Sequence, residues 1–536
     1  MIFSFFKIKK PIPVKFHFIA ILVLQVSLCF LFGYNKIYNS RPFSIHQWRQ
    51  TDCASIAKNY FEENNDFLHP SIHWQGAENG RAVSEFPLIN YTVAQLWKIF
   101  GEKEVVYRIL VLLIYFSSMH FLFYAIFLIG RSALYSYFSI LIVLSSPVLA
   151  YYSFSFLADI PALSFSIIAL SLFIIFIHHK NNTTFYLSVL FATLATLLKA
   201  SSATVLLITG IISLIDILNL NRKFNFSFHL FKNKIFPILA FLLSGIIIIS
   251  WYRYAFIYNG QNSNGVFLME TLPIWKMNGK VIETARLLYN LQLKMFLNKG
   301  ILFCFGAASL WLILNRKKVD SVYFFSFLIS GFCFIAFIIL FYQVFNVHDY
   351  YLITSMIFPI IILLTFANYL RNSKIEINRN KIALFLSFIL LINITHTSAI
   401  VRLRNSSNDN FCQYYPFISN EDKNFSDWFH YNYEATLKPL ETITPYLRSL
   451  GIKRNDFVVS IPDPSFNISL YLMDQKGFTE TEQSLSKQEN KLIEYKSKNA
   501  KYIIISDINI INLPAFSKIQ LKKVGNYKNI VIYKIQ

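Results

Sequence analysis

The run Ser44-Ile-His-Gln-Trp-Arg-Gln-Thr-Asp52-Cys-Ala-Ser-Ile-Ala-Lys-Asn-Tyr60 interrupts a largely apolar first part of the chain. It begins shortly after the first long apolar segment ends, and it holds an acid, a base and aromatic side chains. Polar and ionisable groups at a membrane boundary are costly unless they are paired or functional. The run therefore predicts a polar site at one surface of a membrane protein.

Composition supports that class of protein. The 536 residues are 55% hydrophobic, 17% aromatic and 15% charged, and the mean hydropathy is positive, which is rare for a soluble globular chain. The formal charge is +21, but Lys and Arg cluster between apolar runs, as topology signals and contacts to anionic lipids do. This distribution of charge argues against nucleic-acid binding. The five cysteines are scattered, and their spacing matches neither a disulfide framework nor a zinc site.

A span needs enough apolar residues to cross about 30 Å of hydrocarbon at about 1.5 Å per residue. About eleven segments qualify: 16–34, 105–129, 132–150, 161–178, 184–198, 203–220, 235–257, 300–315, 320–345, 351–370 and 381–400.

Basic residues predict the orientation of these spans. They fall in loops of one side, which the positive-inside rule makes cytoplasmic: Lys7, Lys9, Lys10, Lys15, Arg131, Lys180, Arg222, Lys223, Lys232, Lys234, Arg316, Lys317, Lys318, Arg371, Lys374, Arg379 and Lys381. We therefore predict a multi-pass protein of the inner (plasma) membrane with a cytoplasmic N-terminus. Residues 1–400 form the membrane domain, with 35–104 as its first extracytoplasmic loop, and 401–536 lie outside.

Residues 401–536, the C-terminal tail, lack the continuous apolar runs of the first 400 residues. Short apolar runs at 456–461, 501–507 and 529–535 predict buried strands, and 437–450 and 486–499 have helical spacing. In the first outer loop, Thr51 can cap one amphipathic helix and Pro87 can open another. The predicted fold is a polytopic α-helical membrane protein with amphipathic helices in its first outer loop and a small C-terminal α/β domain.

Three acids are candidate catalytic residues. Asp52 is predicted in the first turn of a helix, where the dipole favours the ionised carboxylate, and it acts either as a general base or as a helix cap. Glu85 precedes the second outer-loop helix and is a second base, an acceptor-binding group or a helix-start acid. Asp159 stands at the outer entrance of an apolar span, where it either caps the helix or has a partner.

Cations and aromatic side chains on the same predicted side are candidates for binding a phosphate or an acceptor. Lys199 lies at the outer junction of two apolar runs, where it can neutralise a phosphate at head-group depth or extend to bulk lipid. The other donor-side candidates are Arg49, Arg81, His348, Tyr350 and Tyr351, and the acceptor-side candidates are His46 and Trp48.

Several common motifs are missing from the sequence. It has no Asp-x-Asp pair, no Gly-rich phosphate loop, no His-Glu-x-x-His and no Gly-x-Ser-x-Gly. Soluble nucleotide donors and metal-dependent chemistry therefore gain no support, and an enzyme here needs a donor already in the lipid.

Five features in order resemble the GT-C superfamily of glycosyltransferases that use polyprenyl-phosphate sugars, in the branch of protein O-mannosyltransferases and lipid A aminoarabinose transferases. The resemblance covers roughly residues 16–400. It rests on Asp52 before Ala54-Ser-Ile-Ala57, Glu85-Phe-Pro-Leu88, Asp159-Ile-Pro161, Leu198-Lys199, and His348-Asp-Tyr-Tyr-Leu352.

The resemblance implies an inverting transferase that moves a sugar from a polyprenyl phosphate to an extracytoplasmic glycan, lipid or protein acceptor. It implies Asp52 as the base and Lys199, Tyr350 and Tyr351 near the phosphate, with no obligatory metal or cofactor and no obligatory protein partner. The chain departs from the aminoarabinose branch in having Arg49-Gln50 in place of an Asp-Glu pair and Phe86 in place of a Lys. The phosphate contact is accordingly expected at Arg49, Arg81 or Lys199.

Two alternatives remain open from the sequence. A transporter or flippase of lipid-linked sugars predicts broken helices and charges at the bilayer midplane. A non-catalytic membrane scaffold predicts that Asp52→Asn leaves function intact.

Overall fold

The computed structural model describes residues 14–536 except 77–79, 225, 227, 263–266, 268–270, 278, 374–378 and 407–408. The basic residues Lys7, Lys9, Lys10 and Lys374, which contribute to the predicted orientation, lie outside the described residues.

Where the structure describes them, residues 14–405 are mainly helical. In chain order the α-helices are α1 (Val14–Leu31), α2 (Tyr34–Ile37), α3 (Gln47–Glu63), α4 (Leu88–Phe100), α5 (Glu104–Gly130), α6 (Ala133–Leu144), α7 (Pro147–Tyr152), α8 (Asp159–His179), α9 (Asn182–Leu198), α10 (Thr204–Ile217), α11 (Leu220–Lys223), α12 (Ile235–Asn262), α13 (Gly279–Phe296), α14 (Lys299–Leu314), α15 (Ser321–Leu340), α16 (Leu352–Ser355), α17 (Ile357–Ser373) and α18 (Arg379–Asn405). Short 3-10 turns join several of them, among them Ala200–Ala203, Tyr342–Asn346 and Asp349–Tyr351.

Seven of the described helical segments are long and apolar enough to cross a membrane: Glu104–Gly130, Asp159–His179, Ala200–Ile217, Ile235–Asn262, Ser321–Leu340, Asp349–Ser373 and Ala383–Asn405. Four shorter apolar helices complete the set: Lys15–Leu31, Ala133–Leu144, Asn182–Leu198 and Lys299–Leu314. These segments coincide with the predicted apolar runs, so the polytopic fold class is confirmed, while the number of spans stays a prediction.

The two helices between the first and second apolar segments, α3 and α4, differ in how well the sequence located them. Helix α4 begins directly after Pro87, as predicted, and ends at Gly101, whose φ is +78°, because only residues tolerant of positive φ end a helix this way. Helix α3 begins at Gln47, with His46 at φ +56° before it, and not at Thr51. The prediction that Asp52 occupies the first helical turn is therefore wrong.

The remainder of the chain builds one sheet with flanking helices. Helices α19 (Asn410–Tyr414), α20 (Asn420–Asn432) and α21 (Thr444–Ser449) lead into β1 (Phe457–Ile461), α22 (Ile468–Met473), β2 (Gly477–Thr479), α23 (Glu482–Lys487), α24 (Lys491–Ser497), β3 (Ala500–Ile505), α25 (Pro514–Ser517), β4 (Leu521–Tyr527) and β5 (Ile530–Ile535). The strand order is β2-β1-β3-β5-β4. Strand β1 is parallel to β2 and β3, and β5 is antiparallel to β3 and β4.

Alternate residues of the central strands serve two separate cores. Val459 and Ile503 pack into a local core with α23 to α25, whereas Val458, Ile504 and Ile532 join the large core that continues into the membrane helices. Successive side chains of a strand point to opposite faces, so both faces of the sheet are covered. The small α/β domain expected in the tail is confirmed, with β2 and β4 in addition to the predicted strands.

The sheet is docked on the first loop by backbone pairing and ion pairs. Gln75 N donates to Gly477 O at 2.6 Å and Gly477 N donates to His73 O at 3.2 Å, which adds the first loop to the β2 edge. Arg454 of the tail contacts Glu63 at 2.8 Å and Asp474 at 3.0 Å. Lys58 of α3 lies 3.3 Å from Asp474, so charges from both parts of the chain close the junction.

Gly477 is required at this junction. Its φ is +153°, and a Cβ there would lie 2.0 Å from Val458 O, a backbone atom that cannot move aside. We expect Gly477→Ala to reduce the free energy of unfolding by about 3 kcal/mol and to lower the Tm measured in detergent. Gly245→Ala is the control, because nothing lies within 4 Å of its added Cβ. Equal Tm values for the two variants would contradict this packing account.

Candidate active site

Three buried ion pairs lie near one end of the helices, and they include four of the predicted site residues. Arg49 of α3 pairs with Glu85, and Lys199, directly after α9, lies 2.5 Å from Asp159 at the start of α8. Arg404 near the end of α18 lies 2.7 Å from Asp349. The side chain of Asp159 is fully buried and that of Lys199 is 13% exposed. Charges this deep are stable only when they are paired.

Aromatic and imidazole side chains connect these pairs into one cluster. His46 Nε2 lies 3.2 Å from Asp349 Oδ1, and the Tyr152 hydroxyl donates to the same oxygen at 2.6 Å. The His46 ring is 5.0 Å from that of Tyr350. Lys199 Nζ lies 5.2 Å from the centre of the Tyr350 ring. The cluster therefore runs without a break from the Asp349 pair to the Lys199 pair.

His348 and Tyr351 extend the same cluster. The His348 ring is 5.4 Å from that of His46 and 6.1 Å from that of Tyr351, and Lys199 Nζ lies 4.3 Å from the Tyr351 ring centre. Burial, together with the charges of His46 and Lys199, lowers the pKa of His348 to about 4. His348 is therefore a neutral hydrogen-bonding group at physiological pH.

Asp52 is a buried acid with no ion pair among the described residues. It is 3% exposed, and its Oδ1 accepts a hydrogen bond from Asn467 Nδ2 at 3.1 Å. Burial raises the pKa of Asp52 to about 7, against the lowering effects of the Arg49 charge and the Asn467 hydrogen bond. The dipole argument made from the sequence does not apply, because Asp52 lies in the second turn of α3 and burial dominates.

Trp48 and Arg81, also predicted as site residues, occupy different positions. Trp48 is 39% exposed and stands one helical turn before Asp52 on α3. Arg81 is exposed and pairs through its backbone with Ser71. No described contact joins Arg81 to the ion-pair cluster, so its predicted phosphate contact has no geometric support.

A cavity of about 710 Å³ opens beside the cluster. Its polar end is formed by His46, Asp349 and Arg404. The rest of its surface is mainly apolar and comes from α13, α18, α20 and the residues beside them, through Met295, Leu297, Ile400, Leu403, Phe417, Phe425 and Phe429. Polar and charged side chains, among them Lys294, Lys299 and Asp422, also line it. A mainly apolar cavity with polar groups in its wall suits an amphipathic molecule.

Sequence reasoning missed three members of the site. Arg404 is a charge at the end of the last apolar run and could have been noticed by position. Tyr152 had no distinguishing signal. Asn467 is 415 residues from Asp52, and nothing in the local sequence connects them. Among the described residues, no group of three or more His, Cys, Asp or Glu is placed to hold a metal ion, and the absence of an obligatory metal stays a prediction.

No protein-family model and no curated protein sequence matches the chain. Solved structures do match it. ArnT from Cupriavidus metallidurans in the apo state superposes with a TM-score of 0.54 at 12% identity, over 96% of this chain and 97% of that chain. The same protein bound to undecaprenyl phosphate gives 0.54 at 11% identity with the same coverage.

A third similar structure is the arabinofuranosyltransferase AftD from Mycobacteria, with a TM-score of 0.52 at 10% identity. The match covers 98% of this chain but 42% of that one. At these identities the likeness is one of fold: the chain has the overall fold of ArnT.

The Lys199–Asp159 pair makes a stability prediction. Lys199→Met leaves an uncompensated buried carboxylate and should cost about 3 kcal/mol of unfolding free energy, whereas the double variant Lys199→Met/Asp159→Asn should recover much of that loss. Thermal unfolding in detergent of the two single variants and the double variant measures the coupling. Additive effects of the two substitutions would show that the pair is not coupled in the folded protein.

Proposed function

We propose that the protein is an inverting glycosyltransferase that moves a sugar from a polyprenyl-phosphate donor to an extracytoplasmic acceptor, with Asp52 as its general base. The observation that carries the proposal is the state of Asp52: a buried carboxylate that forms no ion pair with any described residue, and whose pKa is raised to about 7. A base with a pKa near the working pH combines a useful ionised fraction with proton affinity. The GT-C fold supports the same class of chemistry by analogy.

In the proposed reaction, an acceptor hydroxyl loses its proton to Asp52 while its oxygen attacks the anomeric carbon. The bond between that carbon and the phosphate oxygen breaks, and the polyprenyl phosphate leaves with the bonding electrons. Glu85 is bound to Arg49 and Asp159 to Lys199, so we assign these two acids to holding cations in place. This assignment favours Asp52 over Glu85 and Asp159 as the base.

We assign the leaving phosphate to the Lys199 end of the cluster. A lysine ammonium has three donors, and one of those on Lys199 goes to Asp159 Oδ1, so two remain for phosphate oxygens. Further hydrogen bonds can be donated by Tyr350, Tyr351 and His348, which belong to the same cluster. These donors would stabilise the charge that develops on the leaving group without an obligatory metal.

The apolar cavity beside His46 is proposed to take the first part of the polyprenyl chain. Its wall is mainly apolar and its polar end adjoins the cluster, which matches a lipid with a phosphate head group. The ArnT structure bound to undecaprenyl phosphate supports this donor class by analogy. With the basic loops on the cytoplasmic side, we place the site and the C-terminal domain on the outer face of the plasma membrane.

Removing the proposed base should stop transfer. In membranes supplied with radiolabelled polyprenyl-phosphate sugars, we expect Asp52→Asn to lower the transfer rate by at least about a hundredfold, because the amide cannot accept the proton. Glu85→Gln is the comparison and should retain more activity than Asp52→Asn. Transfer at the wild-type rate by Asp52→Asn, with loss in Glu85→Gln, would assign the base to Glu85. If neither substitution lowers transfer, the enzyme assignment is wrong.

The raised pKa predicts a pH profile. Asp52 acts as a base only when deprotonated, so the transfer rate should rise with pH through about 7 and level off above. The Arg49 charge lowers the pKa of Asp52, so Arg49→Gln should move this limb to higher pH. The same substitution at Arg81, an exposed residue, should leave the limb in place. The transfer rate should be measured from pH 5 to pH 9, about two units on either side of the expected pKa. A transfer rate that does not change over this range would contradict the assignment of Asp52 as the base.

A further inference from the structure

The loop 462–467, between β1 and α22, brings the C-terminal domain into contact with the candidate base. Asn467 is fully buried. Its Nδ2 donates to Asp52 Oδ1 at 3.1 Å, and its Oδ1 accepts from Trp74 N at 3.2 Å. The amide is held from both ends, so its orientation toward Asp52 is fixed.

Three aromatic rings surround this contact. The Phe466 ring centre is 5.1 Å from that of Trp48, edge to face, and 5.0 Å from that of Trp74. Trp48 and Asp52 are four residues apart on α3, so they lie on the same side of the helix. Trp48 is 39% exposed, so part of its ring is open one helical turn before the buried Asp52.

The loop is held rigidly by its own hydrogen bonds. Asp463 Oδ1 accepts from Ser465 N at 2.8 Å, and Asp463 Oδ2 accepts from Ser469 N at 2.8 Å. The domain is anchored elsewhere, through Gly477 and Arg454, as described above. The C-terminal domain is therefore held in place by contacts other than the one between Phe466 and Trp48. This partly exposed aromatic pair is available to bind a ligand.

We propose that Trp48 and Phe466 form an acceptor subsite, and that the acceptor is a carbohydrate. A sugar ring has an apolar C–H face that packs on an aromatic ring, and hydroxyls at its edge that seek acceptors. Here an aromatic face stands one helical turn from a carboxylate, so a ring packed on Trp48 directs a hydroxyl toward Asp52. This subsite rests on the proposed transferase function, and it gives the C-terminal domain a part in acceptor binding.

The first test measures binding without catalysis. Full-length protein in detergent is applied to a printed array of cell-surface oligosaccharides, comparing wild type with Trp48→Ala and Phe466→Ala. Trp428→Ala is the matched control, since Trp428 is 60% exposed on α20, in the segment that follows the last membrane helix. We expect wild type and Trp428→Ala to bind at least one glycan, and the two subsite variants to lose about tenfold or more in affinity.

Folding is controlled separately. Trp48→Phe keeps an aromatic ring and should retain most of the affinity, and the Tm of each variant is measured in the same detergent. Absence of glycan binding by wild type overturns the proposal. Equal affinities of wild type, Trp48→Ala and Phe466→Ala also overturn it.

A kinetic test separates this proposal from the proposed function. With a transferable acceptor, Trp48→Ala and Phe466→Ala should raise the acceptor KM about tenfold or more while the donor KM stays unchanged. Wild-type transfer with an unchanged acceptor KM in both variants means that the subsite is wrong and the transferase function stands. Glycan binding that depends on Trp48, without any sugar transfer by wild type, means that the subsite stands and the transferase function fails.

Discussion

Charge buried at the end of a membrane helix bundle has to be compensated, and this requirement organises the polar centre of the protein. Arg49, Lys199 and Arg404 each face a carboxylate, because an unpaired charge at such depth costs several kcal/mol. Each pair joins elements that are distant in sequence, so the pairs also fix how the helices meet. Glu85, Asp159 and Asp349 are each occupied by a cation, whereas Asp52 has no ion pair among the described residues, and we therefore propose Asp52 as the base.

The C-terminal domain is part of this centre. It reaches Asp52 through Asn467 and is held on the first loop by the pairing at Gly477 and by Arg454. A domain attached only by a linker would sample many orientations, whereas this one shares a core with the membrane helices. The fold thus brings one wall of the candidate site from the first outer loop and another from the tail, with Asp52 between them.

The sequence was informative where the signal was local. Pro87 located the start of α4 because its ring fixes φ and it needs no helical donor, and the apolar runs predicted the membrane helices by length. Thr51 misplaced the start of α3, since the true start follows His46 in a left-handed conformation, which no side-chain cap announces. The raised pKa of Asp52 depends on burial in the folded protein, where Asn467 of the tail contacts it, and helix position alone therefore gave the wrong physical reason for its proposed role.

The sequence predicts one side of the membrane for Asp159, Lys199, Tyr350 and His348, so their clustering could be expected. It did not predict which of them form pairs. Lys199 was expected to neutralise a phosphate or to extend to bulk lipid, and its contact with Asp159 spans 40 residues of sequence. Asn467 and Asp52 are 415 residues apart in the sequence, and no local sequence pattern predicts their contact. Arg81 was predicted on the same side of the membrane, but no described contact joins it to the cluster. A shared side is therefore not enough to predict membership of the site.

The most direct test of the account is a cryo-EM structure of the protein with undecaprenyl phosphate bound. The account predicts the phosphate within hydrogen-bond distance of Lys199, with the chain in the cavity beside His46 and with Asp52 across an open space of about one sugar ring. A phosphate bound at Arg81, or in direct contact with Asp52, would contradict the assignment of base and leaving-group sides.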